Sequence, residues 1–202
     1  MEGIKVGAQV ANFEMDVFDP ARGDFARVSL ADLKAQKKWT VLFFYPGDYT
    51  FVCPTELADF GALQDQFAQE NGVLISVSTD TKYVHLAWHR EESLLKGVRY
   101  LMGADPNGAI SRQFGVYDDA SGMALRGTFI VSPDGRLAAS EINFFNVGRS
   151  AEECLRKVKA NVYLADHPEE ACPAKWNPGD KTLKPGAGLV GRVGDTLSKQ
   201  KI

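Results

Sequence analysis

The chain has 202 residues, of which 45% are hydrophobic and 24% are charged, a composition that favours a single folded core and excludes disorder. Its 23 basic and 26 acidic residues give a net charge of −3, which leaves no basic excess for nucleic acid or an anionic membrane and predicts neither as a partner. No apolar run approaches the ~20 residues of a membrane span, and the first five residues are not followed by the apolar region of a signal peptide.

The first half of the chain alternates predicted strands and helices. Residues 39–45 form a short apolar run rich in β-branched and aromatic residues, which is typical of a strand buried on both faces. Over residues 55–71, apolar residues recur at three- and four-residue steps, which predicts an amphipathic helix. A second buried strand at residues 73–78 and a helix over residues 82–96 follow. This β-α-β-α order predicts a parallel sheet with right-handed crossovers and helices on its faces.

The second half adds an antiparallel hairpin and a last helix. Residues 128–131 and 137–142 flank a turn at residues 132–135, whose Pro-Asp-Gly is typical turn chemistry. The sheet is therefore predicted to be mixed, in an α/β fold. A helix over residues 150–165 begins with a serine that suits the N-cap. From residue 168 the chain is rich in Pro and Gly with little periodicity, which predicts an extension and not a second domain.

The chain contains three cysteines, Cys53, Cys154 and Cys172. Three are too few for a framework of disulfides and an awkward number for one. The number therefore predicts a reducing compartment with buried or reactive thiols. Together with the composition, it predicts a soluble, globular, cytoplasmic protein.

Cys53 lies where the first predicted strand has ended and the first helix begins. Pro54 suits the first helical position because it has no N–H group to leave unsatisfied. A thiol at this point faces free N–H groups and the positive end of the helix dipole, which stabilise its thiolate. The position predicts a reactive cysteine, although a free cysteine can also be a small buried hydrophobic residue. Thr50 can hydrogen-bond both the thiolate and an incoming oxygen, or can serve only the turn.

The residues around this cysteine resemble a known family. Residues 48–56 resemble the peroxidatic-cysteine motif of the typical two-cysteine peroxiredoxins, whose spacing Pro-x-x-x-Thr-x-x-Cys is met here. Residues 126–130 resemble the segment that supplies the family's catalytic arginine, and residues 170–176 resemble the segment with its resolving cysteine. The likeness runs from about residue 5 to residue 193, and within the family it favours the peroxidase component of the bacterial alkyl hydroperoxide reductases.

The resemblance implies a thiol-dependent peroxidase. Cys53 is the expected nucleophile, which a hydroperoxide oxidises to a sulfenic acid. Thr50 and Arg126 are expected to stabilise and orient the reacting groups, and Pro46 to shield the pocket from water. Arg126 can otherwise be a surface salt bridge. Cys172 is the expected resolving cysteine, which condenses with the sulfenic acid to form a disulfide between subunits.

Three further residues receive no catalytic role. Cys154 lies within the last predicted helix and competes with Cys172 as the resolving cysteine, but a packed, inert thiol is the better interpretation. Glu56 and Arg149 resemble the pair that orients the arginine near the thiolate in that family. Either of them can instead be an ordinary exposed charge.

The resemblance also implies a fold and partners. The fold is a thioredoxin-like α/β domain over residues 1–166, with a mixed central sheet flanked by helices, and residues 167–202 form a C-terminal extension that carries the resolving cysteine. Hydrogen peroxide and organic hydroperoxides are the expected substrates. The chain is expected to hold no metal, haem or flavin, so electrons must come from a thioredoxin or a flavoprotein disulfide reductase. Homodimers are expected to assemble into a decamer with a role in antioxidant defence.

Other functions remain open at this point. The same fold could serve as a redox-regulated holdase chaperone or a redox-relay scaffold. A cysteine hydrolase needs a histidine base close to Cys53, yet His85, His89 and His167 lie in segments with no recognisable partner motif. The helical spacing of His85 and His89 has no third ligand and indicates surface or packed histidines rather than a metal pair. The glycine pattern at residues 186–191 is not interpreted as a dinucleotide site, which requires a preceding strand, a following helix and an acidic residue about 20 positions later, because only eleven residues of the sequence follow it.

Overall fold

A seven-stranded mixed sheet forms the centre of the fold in the computed structural model, which describes residues 3–197. The strands are β1 (Glu14–Asp19), β2 (Asp24–Ser29), β3 (Trp39–Phe44), β4 (Gly72–Ser78), β5 (Leu101–Ala104), β6 (Tyr117–Asp118), β7 (Met123–Ala124), β8 (Arg126–Val131) and β9 (Leu137–Asn143). Across the large sheet the order is β2-β1-β5-β4-β3-β8-β9, and β6 pairs with β7 alone. β4 is parallel to both β3 and β5, whereas the other pairs are antiparallel.

Helices connect the strands and follow the last of them. They are α1 (Leu30–Ala35), α2 (Cys53–Gln69), α3 (Lys82–Glu91), α4 (Ala109–Gln113), α5 (Ala151–Asp166) and α6 (Val193–Leu197), with 3₁₀ turns at Ser93–Gly97 and Ala187–Leu189. α2 packs against β4, and α3 packs against β1 and β5. Among the helices that the structure describes, none is long and apolar enough to cross a membrane.

The core is organised around β3, whose six residues are all buried, as its continuous apolar run requires. On one face of the sheet, Phe44 packs near Phe129, with 5.7 Å between the ring centroids. On the other face, Phe43 stacks on Phe60 of α2 at 4.1 Å. Because each large apolar side chain contributes about 1.5–3 kcal/mol when fully buried, this packing fixes the position of α2 against β3. The start of α2 is thereby held near the carboxyl end of β3, an internal strand of the sheet.

The structure confirms the predicted mixed α/β fold, with β3, α2, β4 and the β8–β9 hairpin in the predicted order. α2 begins at Cys53, so Pro54 occupies the second helical position and not the first. The predicted helix over residues 82–96 is wrong in its last five residues, because α3 ends at Glu91. Glu92 has an extended conformation and caps the 3₁₀ turn that begins at Ser93, because its carboxylate accepts from the N–H of Leu94.

The sequence predicts no element before residue 39, whereas the structure has β1, β2 and α1 there. β1 and β2 form an antiparallel pair at one edge of the sheet. Their exposed face carries charged side chains, and Arg27 pairs there with both Glu14 and Asp16. These charges interrupt the apolar pattern, so the two strands resemble polar surface segments in the sequence.

The described residues form two compact units, which divide after Glu152. The first unit contains the sheet. In the second unit, Trp176 is buried next to Tyr163, with 5.0 Å between the ring centroids. The predicted boundary between the domain (residues 1–166) and the C-terminal extension (residues 167–202) stays a prediction. Residues 1–2 of the predicted domain and residues 198–202 of the predicted extension lie outside the described residues.

Candidate active site

Cys53 is the first residue of α2 and follows the loop that leaves the end of β3. Its side chain is fully buried and its thiol is free. The first turn of a helix presents N–H groups and the positive end of the helix dipole, both of which stabilise negative charge on a sulfur placed there. The structure therefore places this cysteine at the strand-to-helix junction that the sequence predicts.

Arg126 places a cationic hydrogen-bond donor beside the sulfur. It begins β8, which runs antiparallel to β3, so the start of β8 lies next to the end of β3. Its Nη1 donates to Cys53 Sγ at 3.3 Å, and its Nε donates to the carbonyl oxygen of Phe145 at 2.7 Å. Arg126 is buried, and charge interactions are stronger in such a low-dielectric environment than in water. Arg126 is therefore not a surface salt bridge.

Glu56 connects Arg126 to a second buried arginine. It lies one helical turn after Cys53, and its Oε2 accepts from Arg126 Nη1. Its Oε1 accepts from the backbone N–H and the Nε of Arg149, at 2.9 and 2.8 Å. The side chains of Glu56 and Arg149 are both 1% exposed. The interpretation of these two residues as ordinary exposed charges is therefore wrong.

Arg149 also connects the charged cluster of Glu56, Arg126 and Arg149 to β8 by hydrogen bonds. Its Nη1 donates to the carbonyl oxygen of Gly127 at 2.9 Å and to Thr128 Oγ1 at 3.2 Å. A Cβ atom at Gly127 would lie 2.6 Å from Val116 Cγ1 and 2.8 Å from the ring of Phe129. Only a glycine therefore lets the start of β8 pack this closely against Val116 and Phe129. This packing supports the position of the adjacent Arg126.

The loop between β3 and α2 carries two further predicted residues of the site. Thr50 is half-buried, and its hydroxyl donates to the carbonyl oxygen of Gly47 at 2.7 Å. Because its proton is used in this bond, the hydroxyl oxygen retains its lone pairs as acceptors. Pro46 is buried, and Tyr49 has a φ of 56°, a left-handed conformation that is strained for a residue other than glycine. The roles of Thr50 and Pro46 towards a peroxide stay predictions.

Cys172 lies in the second compact unit, after α5. It is partly exposed, whereas Cys154 within α5 is buried. Burial raises the pKa of the Cys172 thiol; the Arg156 guanidinium opposes this shift and the Glu170 carboxylate adds to it. The thiol is therefore protonated at neutral pH and exposed enough to react, while the resolving role stays a prediction.

The histidines bond to groups other than the sulfur, and within residues 3–197 no cluster of three or more ligating side chains could hold a metal ion. Cys53 Sγ instead contacts a guanidinium, which stays protonated and cannot act as a base. This geometry does not supply the base of a cysteine hydrolase. The ring nitrogens contact Asp48 and Gly103 (His85), Val98 (His89) and Tyr163 (His167).

Two features of the site were not predicted. Arg126 is anchored by the carbonyl oxygen of Phe145, and a main-chain acceptor leaves no signal in a sequence. Asp48 lies within the recognised motif, but its side chain contacts those of Tyr45 and His85. A signal for this contact did exist, because Asp48 follows β3 and His85 follows β4, and the carboxyl ends of adjacent parallel strands lie side by side.

Comparisons with known proteins give a consistent result. The model of the AhpC/TSA family matches residues 6–140, and that of the C-terminal domain of 1-Cys peroxiredoxin matches residues 164–187. The chain is 46% identical over 191 residues to alkyl hydroperoxide reductase C of Staphylococcus aureus, covering 93% of this chain and 98% of that protein.

Solved structures agree with these matches. The crystal structure of Enterococcus faecalis AhpC is similar with a TM-score of 0.78 and 43% identity, covering 83% of this chain and 98% of that one. The reduced 2-Cys peroxiredoxin of Plasmodium vivax is similar with a TM-score of 0.84 and 30% identity, covering 92% and 98% of the two chains.

Proposed function

The chain belongs to the AhpC/TSA family of peroxiredoxins, oxidoreductases that act on peroxides, and we propose that it reduces hydrogen peroxide and organic hydroperoxides with Cys53 as the nucleophile. One observation carries this proposal: Arg126 Nη1 lies 3.3 Å from a fully buried Cys53 Sγ at the start of a helix. Both features stabilise an anionic sulfur, and the thiolate is the form of cysteine that attacks a peroxide.

The first half-reaction breaks the peroxide O–O bond. The Cys53 thiolate attacks one oxygen in line with that bond, the S–O bond forms, and the other oxygen leaves as hydroxide or alkoxide and takes up a proton. The cysteine is oxidised to a sulfenic acid and the peroxide is reduced to water or an alcohol. Arg126 can donate to the oxygens as negative charge moves onto them. Thr50 is the proposed acceptor for the O–H of the bound peroxide, and Pro46 is proposed to limit access of water.

The nucleophile is tested by stopped-flow oxidation of the reduced protein with hydrogen peroxide and with an alkyl hydroperoxide. Cys53→Ser is expected to abolish the fast phase with both, whereas Cys154→Ser, a matched change at another buried cysteine, is expected to retain it. Equal rates for the unsubstituted protein and Cys53→Ser would leave only a chaperone or scaffold function.

The second half-reaction forms a disulfide. We propose that the Cys172 thiol of one subunit attacks the Cys53 sulfenic acid of another, so that an S–S bond forms and the sulfenic oxygen leaves as water. The partial exposure of Cys172 and the burial of Cys154 support this choice. On non-reducing electrophoresis after one equivalent of peroxide, a band of dimer mass should survive Cys154→Ser and disappear with Cys172→Ser. The opposite pattern would make Cys154 the resolving residue.

The cycle closes when a separate dithiol donor reduces the disulfide and supplies two electrons. A thioredoxin or a flavoprotein disulfide reductase is proposed in this role, in the cytoplasm, where a reducing environment keeps such thiols free. Steady-state peroxide consumption with each candidate reductase distinguishes them. The donor is expected to support turnover of the unsubstituted protein but not of Cys172→Ser, whose Cys53 has no partner for disulfide formation.

A homodimer that assembles further into a decamer is proposed for this chain. β9 forms one edge of the sheet and exposes the apolar side chain of Ile142, which is 48% exposed, and Phe144, which directly follows β9, is 69% exposed. An exposed edge strand offers unpaired backbone groups to a second copy. Analytical ultracentrifugation should show dimers and larger assemblies for the unsubstituted chain and monomers for Phe144→Glu; a monomeric unsubstituted chain would contradict this proposal.

A further inference from the structure

A cluster of buried polar side chains lies beneath the loop that precedes Cys53. The hydroxyl of Tyr45 donates to Asp48 Oδ1 at 2.6 Å, and Asp48 Oδ2 lies 2.7 Å from His85 Nδ1. The Asp48 and His85 side chains are both 0% exposed, and Tyr45 is also fully buried. Burying such groups is costly unless they are hydrogen-bonded. None of these three side chains has a role in the two proposed half-reactions.

The protons in this cluster can be counted from its contacts. His85 Nε2 lies 3.0 Å from the carbonyl oxygen of Gly103, which can only accept, so Nε2 carries a proton. One further proton then lies between His85 Nδ1 and Asp48 Oδ2. Its location makes the two residues either a neutral pair or an ion pair, and their total charge is zero in both cases. Burial raises the pKa of Asp48 and the contact with His85 opposes that shift, so the imidazole is what compensates the carboxyl group here.

Asp48 anchors the active-site loop at its centre. Besides its side-chain bonds, its backbone N–H donates to Asp80 Oδ2 at 2.8 Å. The residues on either side carry the geometry of the site: Gly47 supplies the carbonyl oxygen that accepts from Thr50, and Tyr49 has the strained φ of 56°. A strained loop persists only when its surroundings hold it in place. The bonds to Asp48 therefore determine where the Thr50 hydroxyl points.

We propose that Asp48 and His85 are positioning residues for peroxide reduction, which act through Gly47 to hold the Thr50 hydroxyl where it accepts from the bound peroxide. This inference rests on the proposed function and deepens it. Neither residue contacts Cys53 Sγ in the part of the chain that the structure describes. The hydrogen bond to this sulfur comes from Arg126. The pair should therefore affect the reaction of Cys53 with peroxide, which uses Thr50, and not its reaction with an alkylating agent, which does not.

A double-mutant cycle on the reduced protein tests this proposal. For Asp48→Ala, Thr50→Val and the double variant, two rates are measured: oxidation of Cys53 by hydrogen peroxide, and alkylation of the Cys53 peptide by iodoacetamide, followed by mass spectrometry. Each single change is expected to slow oxidation by about 10- to 100-fold, as misplaced catalytic groups do, and to leave alkylation within about twofold of the unsubstituted rate. The double variant should be no slower than Thr50→Val alone, because Asp48 acts through Thr50.

Two further variants keep the test decisive if Asp48→Ala does not fold. Asp48→Asn should recover most of the lost oxidation rate, because its amide can accept from Tyr45 and donate to His85 Nδ1. His85→Gln should slow oxidation and, like Asp48→Ala, add nothing to Thr50→Val. The matched control is His89→Gln on the same helix, whose ring contacts the carbonyl oxygen of Val98, and it should oxidise at the unsubstituted rate.

Additive effects in the cycle, or a parallel loss of oxidation and alkylation, would overturn the positioning role, since both indicate a general structural effect. Slow oxidation of the unsubstituted protein itself would instead overturn the proposed function. The two failures are thus distinguished by the unsubstituted protein alone.

Discussion

Replacing Glu56 by glutamine changes a single buried group at the centre of the site. The carboxylate accepts through Oε1 from the backbone N–H and Nε of Arg149 and through Oε2 from Nη1 of Arg126. A glutamine of the same shape can keep the bonds at Oε1. At the other position its NH₂ group would face the Arg126 guanidinium, so that two donors meet and Arg126 loses its bond to Glu56.

The size of the effect follows from the burial of the cluster. The side chains of Glu56 and Arg126 are 1% and 4% exposed, so water cannot replace the lost negative charge. Breaking a buried ion pair by removing one partner typically costs about 3–5 kcal/mol in the free energy of unfolding. For a chain of about this length, each kcal/mol lowers Tm by roughly 2–4 °C. Glu56→Gln is therefore expected to lower Tm by roughly 6–20 °C.

Thermal unfolding of the reduced protein, monitored by circular dichroism, measures this change. Variants must be compared at one protein concentration, because oligomerisation alters Tm. Glu169→Gln makes the same chemical change at an exposed position and should shift Tm by no more than about 2 °C, as surface substitutions usually do. A Tm for Glu56→Gln that matches this control would show that Glu56 does not compensate the two arginines, and the electrostatic account of the site would be wrong.

Changes at Arg126, Cys172 and Gly127 each test a different feature of the structure. Arg126→Lys should lower the rate of Cys53 oxidation by about 10²–10³, because an ammonium cannot reproduce the fixed donors of guanidinium; stopped-flow measurement should find no such loss for the exposed Arg136→Lys. The raised pKa of Cys172 predicts that its alkylation, measured with the other two cysteines replaced by serine, accelerates with a midpoint above the ~8.5 of an ordinary thiol; a midpoint below that value would contradict the effect of burial. Gly127→Ala should cost about 1–3 kcal/mol in urea unfolding through overpacking, whereas Gly97→Ala, with open space around its Cβ position, should not.

The parts of the fold that the sequence predicted are those in which one physical requirement dominates. β3 is buried on both faces, so its residues must be continuously apolar, and such a run has few other interpretations. α3 was predicted too long because the apolar spacing continues beyond Glu91 while the backbone does not. Its end depends on the extended conformation of Glu92 and the bond to Leu94, which compete locally with helix continuation. Neither the helix propensities of these residues nor the spacing of the apolar ones indicates that competition.

The site, like the fold, has features that the sequence predicts and features that it does not. The sequence predicts Cys53 and Arg126 because a contiguous motif and a recognisable segment carry them, and the pairing of β8 with β3 brings the two side chains together. The role of Glu56 was undecided from sequence, because an acidic residue in the first turn of a helix is usually exposed. Its burial depends on Arg149, which lies far away in the chain. Contacts across such separations are set by the packing of the whole sheet.

The charges of the site explain why one carboxylate stands between two arginines. With Cys53 as a thiolate, two guanidiniums face two anions and the cluster is neutral. In the proposed attack on a peroxide, the negative charge moves from Cys53 Sγ onto the leaving oxygen, to which Arg126 can donate. Only the part of this interaction that is stronger in the transition state than in the starting thiolate lowers the barrier, and Arg126 can supply it without rearrangement because its bonds to Phe145 and Glu56 hold it in place. Without Glu56, a second uncompensated cation would stabilise the starting thiolate as well, and stabilisation of the starting state does not accelerate the chemical step.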